Sequence, residues 1–264
     1  MPKVLAWNIR HGGGSRSMGS IALSLLEHAP DVLVLNEFRW STGGQILGAL
    51  ADHGWGHRMA YDVPSRSNAV VLASRHPLRP IPLHERESTL APRLAAAEVP
   101  ALGLTLVGVH IPCSGREKQA FWNTLVSCAD RLAGVPTLVI GDFNSGRRLE
   151  DEEGSSLSGT RFFARLAGMG YRDAWRRTHP GVREFSWFSH AGRGVRIDHA
   201  WVSAPLAERV AAAWYSHEER ESGISDHSAL VVALDPEPRN AHDFKENRAP
   251  RTCRTDDVAV QDGA

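Results

Sequence analysis

The sequence predicts a mixed α/β domain in which most strands pair antiparallel. Short apolar runs typical of buried strands are interleaved with segments of helical apolar spacing, the first two strands each precede a helix, and later strands occur in hairpin-like pairs. With 264 residues and 42% hydrophobic content, the chain is long enough for a substantial core. Since no linker or fixed-period repeat interrupts it, we expect residues 1–234 to form one domain.

The individual elements follow from the apolar pattern in chain order. In the first half we predict strands at residues 4–7, 31–35 and 69–73, helices at 21–28 and 44–53, and a hairpin made of 93–99 and 102–109. In the second half we predict helices at 117–132 and 160–167 and strands at 135–140, 185–188, 195–202 and 229–234. Residues 235–264 are rich in Pro, Arg and Asp without periodicity, which predicts a disordered tail.

Charge and composition argue against several classes of protein. The formal net charge is zero, so no global field draws the chain towards nucleic acid or membranes. The three cysteines, Cys113, Cys128 and Cys253, lack the spacing of a zinc site or a disulfide framework. The sequence has neither the apolar region of a signal peptide nor a run that approaches a membrane span. We therefore expect a reduced, soluble, cytoplasmic protein, monomeric and without an obligate protein partner.

Polar residues stand repeatedly where the predicted strands begin or end. They are Asn8, Glu37, His110, Asp142, Asn144, Asp198, Asp226 and His227. Loops at one rim of a sheet scaffold are where binding and catalytic groups are usually held. Random scatter does not favour this placement, so the pattern predicts a functional site at a sheet rim.

The segment 135–144 carries the strongest local signal. An apolar strand ends at Gly141, which lets the backbone turn, and Asp142 and Asn144 follow two residues apart, so that their side chains point the same way in extended chain. A carboxylate and an amide side by side can activate a water and hold an oxyanion. Asp and Asn after a strand also favour a plain turn. This segment alone leaves both interpretations open.

Five motifs stand in a definite order along the chain. They are Trp7-Asn8-Ile9-Arg10, Asn36-Glu37, Gly141-Asp142-Phe143-Asn144, Arg196-Ile197-Asp198-His199 and Ser225-Asp226-His227. In this order they resemble the endonuclease/exonuclease/phosphatase superfamily over roughly residues 3–234. Segments 168–176 and 185–207 are similar to the exonuclease III and abasic-site endonuclease branch. The resemblance implies a four-layer α/β sandwich: two mainly antiparallel sheets packed face to face, helices outside, and the site at one rim.

The resemblance also implies a divalent cation. Glu37 matches the metal-binding carboxylate, Asn8 is an oxygen ligand or orients one, and Asp226 either reaches the metal or braces the site. Oxygen donors without a cysteine cluster favour Mg²⁺ or Mn²⁺ over zinc. A solvated loop acid is the alternative for Glu37, and its position directly after a buried strand disfavours it.

The same resemblance implies roles for the catalytic residues. Asp142 would orient and deprotonate the attacking water, and Asn144 would donate to a phosphoryl oxygen. Asp198 and His227 would pair, so that the carboxylate fixes the imidazole tautomer and favours its protonated form. The alternative for His227 is a strand-edge histidine bonded to backbone, which the surrounding Ser-Asp-His sequence disfavours.

His110 departs from the exonuclease III pattern. In that branch the position two before the proline resembles a tyrosine, whereas Val109-His110-Ile111-Pro112 is similar to the DNase I, sphingomyelinase and phosphatase branches. A histidine there can protonate the leaving oxygen. The segment with Asn68 is also similar to those branches, and Asn68 is a candidate substrate-binding residue. Arg10 occupies a position where some relatives carry an acid or an amide.

Aromatic and basic residues near the predicted rim each have two interpretations. In the abasic-site branch, aromatics at the position of Trp187 line a pocket for a base-less sugar, but alternating aromatics in a strand more often fill the core. Arg66 and Arg116 lie in rim-like loops, where they either grip a phosphate backbone or are solvated surface arginines. Cys113 follows the strand that ends at His110, and we expect a structural thiol there.

Together these features predict a Mg²⁺-dependent phosphodiesterase. The first interpretation is an exonuclease III-like DNA endonuclease or exonuclease that uses metal-assisted attack by water, with DNA as its partner. The first alternative is an enzyme acting on a phospholipid, an inositol phosphate or another small phosphate ester, which His110 and the neutral net charge favour. The second is a non-catalytic binding module on the same scaffold. The presence of Glu37, Asp142, Asp198 and His227 disfavours it.

Overall fold

The apolar runs of the sequence form strands in the computed structural model, which describes residues 1–13, 17–61, 63–83, 91–154 and 159–236. In chain order the strands are β1 (Lys3–Asn8), β2 (Val32–Phe38), β3 (His57–Met59), β4 (Ala69–Ser74), β5 (Arg79–Pro80), β6 (Leu94–Val99), β7 (Leu104–His110), β8 (Thr137–Asp142), β9 (Arg172–Asp173), β10 (Trp187–Phe188), β11 (Gly194–Val195), β12 (Asp198–Val202), β13 (Val210–Ser216) and β14 (Ala229–Leu234). The central strands are buried along their whole length, as the unbroken apolar runs require.

The helices connect these strands on the outside. They are α1 (Met18–His28), α2 (Trp40–Asp52), α3 (Gly115–Leu132), α4 (Thr160–Gly168), α5 (Ala174–Thr178), α6 (Ala204–Ala207) and α7 (Glu218–Glu221). Two short 3₁₀ turns, Ala91–Arg93 and Pro100–Leu102, flank β6. Among the described residues no helix has the length and apolar character needed to span a membrane.

The strands form two six-stranded sheets that share one plan. Their orders are β13-β14-β1-β2-β4-β3 and β5-β6-β7-β8-β12-β9, with β10 and β11 as a separate ribbon. In each large sheet only the central pair is parallel, β1 with β2 and β7 with β8, and each pair is joined through a helix, α1 or α3. All other pairs are antiparallel. The predicted mainly antiparallel character is confirmed.

Three buried apolar clusters separate four layers. One lies between the sheets and includes Val34 and Leu72 from the first sheet and Leu106 and Ile140 from the second. A second covers the outer face of the first sheet with α1 and α2, and a third covers the outer face of the second sheet with α3 and α4. Helix, sheet, sheet and helix therefore stack in that order, which confirms the predicted α/β sandwich.

The structure also corrects several predicted elements. Residues 195–202 do not form one strand, because the chain leaves the β10–β11 ribbon at Arg196 and enters the second sheet at Asp198. Strand β13 was not predicted at all, since its alanine-rich sequence has low strand propensity and only its pairing with β14 defines it. The predicted disordered tail lies outside the described residues except for Asp235 and Pro236.

Candidate active site

The candidate site lies where the central strands of both sheets end. The parallel registers place Asn8 beside Asn36 and His110 beside Asp142. Strand β12 runs antiparallel to β8, so its first residue, Asp198, pairs with Asp142. Because parallel strands end at the same edge and antiparallel partners begin there, residues distant in sequence meet at one rim.

Asn36 links the two sheets at this rim. Its side-chain amide donates to the Val109 carbonyl at 2.8 Å, and its Oδ1 accepts from the backbone N–H of Asp142 at 3.1 Å. The side chain is fully buried. Asn36 therefore fixes the end of β8 from the other sheet. Sequence reasoning missed this role, although an amide directly before Glu37 at a strand end was a usable signal.

Asp142, Asp198 and His227 form a buried cluster whose ligand atoms lie within 4.8 Å of one another. His227 Nδ1 lies 2.9 Å from Asp198 Oδ2. Asn8 Nδ2 donates to Asp142 Oδ2 at 3.0 Å. His227 is anchored by its backbone, because its carbonyl accepts from Trp7 Nε1 at 3.0 Å. The predicted carboxylate–imidazole pair is thus present in the geometry.

Burial and mutual charge shift the pKa values of this cluster. Burial lowers the pKa of His227, but the Asp198 carboxylate more than offsets it and raises the pKa to about 10. Burial, together with the Asp198 charge, raises the pKa of Asp142 to about 7, against the opposing effect of His227 and two hydrogen-bond donors. Two carboxylates and one imidazolium leave the cluster with an excess of negative charge.

The segment around Asp142 differs from the expected extended pair. Strand β8 continues through Gly141, whose φ is +141°, and a Cβ there would lie 2.2 Å from the Val109 carbonyl oxygen. Asn144 has a φ of +45°, and its backbone N–H donates to Asp142 Oδ1 at 2.8 Å. Its side-chain amide donates to the Ile111 carbonyl at 2.8 Å. The chain is therefore not extended from Asp142 to Asn144 as expected, because Asp142 closes a turn over Asn144.

Glu37 lies at a bulge of β2, where the register with β4 shifts between Leu35 and Phe38. Its φ is +53°, a conformation that costs energy for a residue with a Cβ and that is common at functional sites. The carboxylate is one-fifth exposed and lies 2.8 Å from His11 Nδ1 and 3.8 Å from His110 Nε2. The bulge therefore re-aims this side chain towards two imidazoles.

His110 is buried at the end of β7 and carries no charge at neutral pH. Burial, the Arg93 guanidinium and two neighbouring histidines lower its pKa to about 3. Arg93 Nη1 lies 3.3 Å from His110 Nδ1, and because arginine only donates, the ring proton lies on Nε2. Nε2 faces Glu37 and also Asp142, 3.9 Å away. Arg93 is a further residue that sequence reasoning missed.

The structure brings some of the predicted substrate-binding residues to the rim. Asn68 Oδ1 accepts from Arg39 Nε at 2.6 Å and lies 3.2 Å from His11 Nδ1, beside Glu37. Trp187 is half-buried, its Nε1 donates to Asp226 Oδ2 at 3.1 Å, and its ring lies 6.5 Å from that of His227.

The remaining candidates lie outside this cluster. Asp226 is exposed, and its carboxylate accepts the hydrogen bond from Trp187. Arg66 and Arg116 are exposed and make no hydrogen bond or ion pair to site residues within the described parts of the chain. Phe188 is 38% exposed, so the aromatics of this ribbon do not fill the core. Cys113 and Cys128 are free thiols, and Cys113 is exposed.

The residues at the rim fit a divalent cation. The Asp142 and Asp198 carboxylates meet in the buried cluster, and Glu37 lies at the same rim, 3.8 Å from the His110 nitrogen that is 3.9 Å from Asp142; a divalent ion neutralises such surplus negative charge. Asn8 turns its Nδ2 to Asp142, and its Oδ1 accepts from the Arg10 backbone at 3.0 Å, so it orients Asp142 in this geometry.

Comparison with known proteins agrees with this geometry. The model of the Endonuclease/Exonuclease/phosphatase family matches residues 5–227. Exodeoxyribonuclease III of Haemophilus influenzae is 40% identical over 78 residues, a stretch that covers 26% of this chain and 29% of that protein.

Solved structures match the whole fold. An AP endonuclease from Archaeoglobus fulgidus has a TM-score of 0.75 and 20% sequence identity. The 3′ phosphatase NExo from Neisseria, bound to a product DNA hairpin, has a TM-score of 0.74 and 22% sequence identity. Each match covers 89% of this chain and 100% of the other chain. The chain therefore belongs to the endonuclease/exonuclease/phosphatase family.

Proposed function

We propose that this protein is a DNA nuclease of the exonuclease III type that depends on a divalent cation, Mg²⁺ or Mn²⁺. The observation that carries the proposal is the buried Asp142–Asp198–His227 cluster at the rim, with its excess of negative charge. The short match to an exodeoxyribonuclease III supports DNA as the substrate class. The half-buried Trp187 beside His227 supports it as well, since an aromatic face next to a phosphate site can stack on a base or cover a sugar.

Asp142 orients and deprotonates the attacking water in this proposal. Its Oδ1 is held by the Asn144 N–H and its Oδ2 by the Asn8 amide, so the carboxylate is fixed in one orientation. The raised pKa makes it a stronger base than an exposed carboxylate. Asn36 contributes indirectly, because it holds the backbone of Asp142 from the other sheet.

His227 donates to the phosphoryl group. The contact between its Nδ1 and Asp198 leaves Nε2 for the substrate, and the raised pKa keeps the ring protonated at neutral pH. A buried, positively charged donor stabilises the charge that develops on the phosphoryl oxygens. The second N–H of the Asn144 amide, the one not donated to Ile111, adds a further donor.

Glu37 is the carboxylate that would hold the cation, and Asp226, next to His227, accepts a hydrogen bond from Trp187 and would brace the site. A bound cation supplies Lewis-acid stabilisation of the phosphoryl oxygens. His110, neutral and with its proton on Nε2, would donate to an oxygen ligand or to the substrate. Because its ring is neutral at neutral pH, His110 is not an imidazolium general acid there.

A second function is favoured by one observation. His110, which contacts Arg93, stands where the exonuclease III branch has a tyrosine, and this position resembles the DNase I, sphingomyelinase and phosphatase branches, two of which act on other phosphate esters. Hydrolysis of a small phosphate ester or a phospholipid headgroup is therefore the competing proposal.

The test is cleavage of three matched duplexes: intact, nicked, and carrying one abasic analogue. Each is incubated with Mg²⁺ or Mn²⁺ and with EDTA, and Asp142→Asn is run in parallel. We expect cation-dependent cleavage that EDTA and the substitution abolish. Incision at the abasic position identifies a repair nuclease, and degradation of all three a general DNase. If the folded protein cleaves none of them but hydrolyses bis-p-nitrophenyl phosphate, the DNA proposal is wrong and the small-ester proposal takes its place.

A further inference from the structure

The loop after β1 brings a second histidine to the candidate metal carboxylate. His11 Nδ1 lies 2.8 Å from Glu37 Oε2, and His110 Nε2 lies 3.8 Å from Glu37 Oε1. Each carboxylate oxygen of Glu37 therefore faces an imidazole nitrogen. Imidazole nitrogen suits first-row transition ions, whereas Mg²⁺ takes oxygen ligands almost exclusively.

The backbone holds His11 in this position. Arg10 and His11 have left-handed φ values of +46° and +61°, and Asn8 Oδ1 accepts from the Arg10 N–H at 3.0 Å. Thr42 Oγ1 donates to the His11 carbonyl at 3.0 Å. The turn continues through Gly12, where a Cβ would lie 2.4 Å from Thr42 Oγ1. The loop is thus packed tightly against α2, and the ring of His11 is directed at Glu37.

The contacts of His11 place Nδ1 among oxygen atoms that can share a cation with it. Nδ1 faces two oxygen acceptors, Glu37 Oε2 and Asn68 Oδ1, so without a cation this nitrogen carries a proton. Asn68 Oδ1 is itself held by Arg39 Nε. The His11 side chain is 50% exposed, so a cation can reach it from solvent.

We propose that His11 Nδ1 ligates the cation held by Glu37, and that this nitrogen makes the protein select a first-row transition ion over Mg²⁺. The inference rests on the proposed function for the cation itself, and it adds a ligand and an ion selectivity that the oxygen donors alone do not provide. Mn²⁺ is the probe, because its electron spin reports directly on coordinated nitrogen.

The experiment measures binding to the full chain, stripped of metal and without DNA. Pulsed electron paramagnetic resonance of bound Mn²⁺ detects ¹⁴N couplings, and calorimetry compares the affinities for Mn²⁺ and Mg²⁺. In the wild type we expect nitrogen coupling and tighter binding of Mn²⁺. His11→Asn should lower the Mn²⁺-to-Mg²⁺ affinity ratio by at least about tenfold, since even indirect partners of metal ligands change affinity that much, and should weaken the coupling.

The variants are chosen to keep the fold. Asn tolerates the left-handed backbone at position 11 better than most residues do. The matched control is His53→Asn, an exposed histidine whose Nδ1 contacts the Ala49 carbonyl at the end of α2; it should behave as the wild type. The variant His110→Asn shows whether a nitrogen coupling comes from His110 or from His11, the two imidazoles that face Glu37.

Three results overturn the proposal: no Mn²⁺ binding by the wild type, a coupling and affinity ratio unchanged in His11→Asn, or a coupling lost only in His110→Asn. The readouts separate this proposal from the nuclease function. A His11-dependent nitrogen coupling without DNA cleavage retains the ligand and rejects the nuclease. Equal cleavage with Mg²⁺ and Mn²⁺ by wild type and His11→Asn, together with an unchanged coupling, retains the nuclease and rejects the ligand.

Discussion

Two buried clusters of charged side chains lie next to each other along β12, and the first is balanced in charge. Arg196, without exposed surface, contacts Asp151 at 2.8 Å and Asp173 at 2.6 Å, and Arg176 reaches Asp151 at 3.0 Å. Burial opposes ionisation of both aspartates, but Arg196 more than offsets it and holds the pKa of each below its ordinary value. This cluster remains fully ionised across the neutral range.

The second cluster begins two residues later, at Asp198, and is not balanced. Asp142 and Asp198 share one imidazole, that of His227, and the pKa of Asp142 is raised rather than lowered. Apart from Arg176, the side chains of the two clusters are buried to nearly the same extent. The number of cations therefore distinguishes the two clusters: a buried carboxylate without a cation of its own can accept a proton or a metal ion, as the proposed function requires of Asp142.

The largest expected effect comes from neutralising the unbalanced cluster. Asp142→Asn should reduce DNA hydrolysis by about 10³-fold, in the range of a lost general base, because the attacking water loses its acceptor. The melting temperature should not fall, since the substitution removes a carboxylate beside Asp198. The matched control is Asp130→Asn, an exposed acid on α3. Hydrolysis retained by Asp142→Asn contradicts the proposed role.

Breaking the balanced cluster should instead affect stability. Arg196→Met leaves Asp151 and Asp173 buried with less compensation, and the free energy of unfolding should drop by about 3–5 kcal/mol. Urea denaturation measures it, with Arg165→Met, an exposed arginine on α4, as the control. A loss no larger than in the control would mean that this cluster does not stabilise the fold. Added Asp173→Asn should restore part of the loss.

A third prediction uses the raised pKa of Asp142 in the unbalanced cluster. The folded-state pKa of Asp142 is about 7, above the unfolded value of about 4. Its contribution to stability is therefore complete below about pH 4 and is lost as the pH rises through 7. We measure the free energy of unfolding by urea denaturation in EDTA. As the pH rises from 4 to 7, the value for Asp142→Asn should increase relative to that of the wild type by about 1 kcal/mol or more. A pH-independent difference is the contrary outcome.

The smallest effect is expected at the edge of the balanced cluster. The Arg176 side chain is 19% exposed, and Asp151 retains its ion pair with Arg196 when Arg176 is replaced. Arg176→Met should therefore lower the free energy of unfolding by about 1 kcal/mol or less, as partly solvated ion pairs do. A loss as large as that of Arg196→Met would show that the two arginines act as one unit.

Local pattern predicted much of this molecule. Unbroken apolar runs located the central strands, and helical spacing located α1, α3 and α4 to within a few residues. The rim position of Asp142, Glu37 and His227 was predictable because strand ends are visible in sequence. Elements without an autonomous pattern were missed: β13 exists through its pairing with β14, and the break at Arg196 exists because its side chain turns to Asp151 and Asp173.

By itself the sequence determined the mixed α/β class and the residue types at the rim, since these depend on periodicity and on order along the chain. The four-layer architecture and the family followed from the resemblance that the ordered motifs carry. Tertiary structure alone decided which of these groups are charged and what they face. Asn36 reaches Asp142 from the other sheet, burial and Arg93 together keep His110 neutral, and the bulge at Glu37 turns its carboxylate to His11. Burial and distance set these properties, and neither is encoded at any single position.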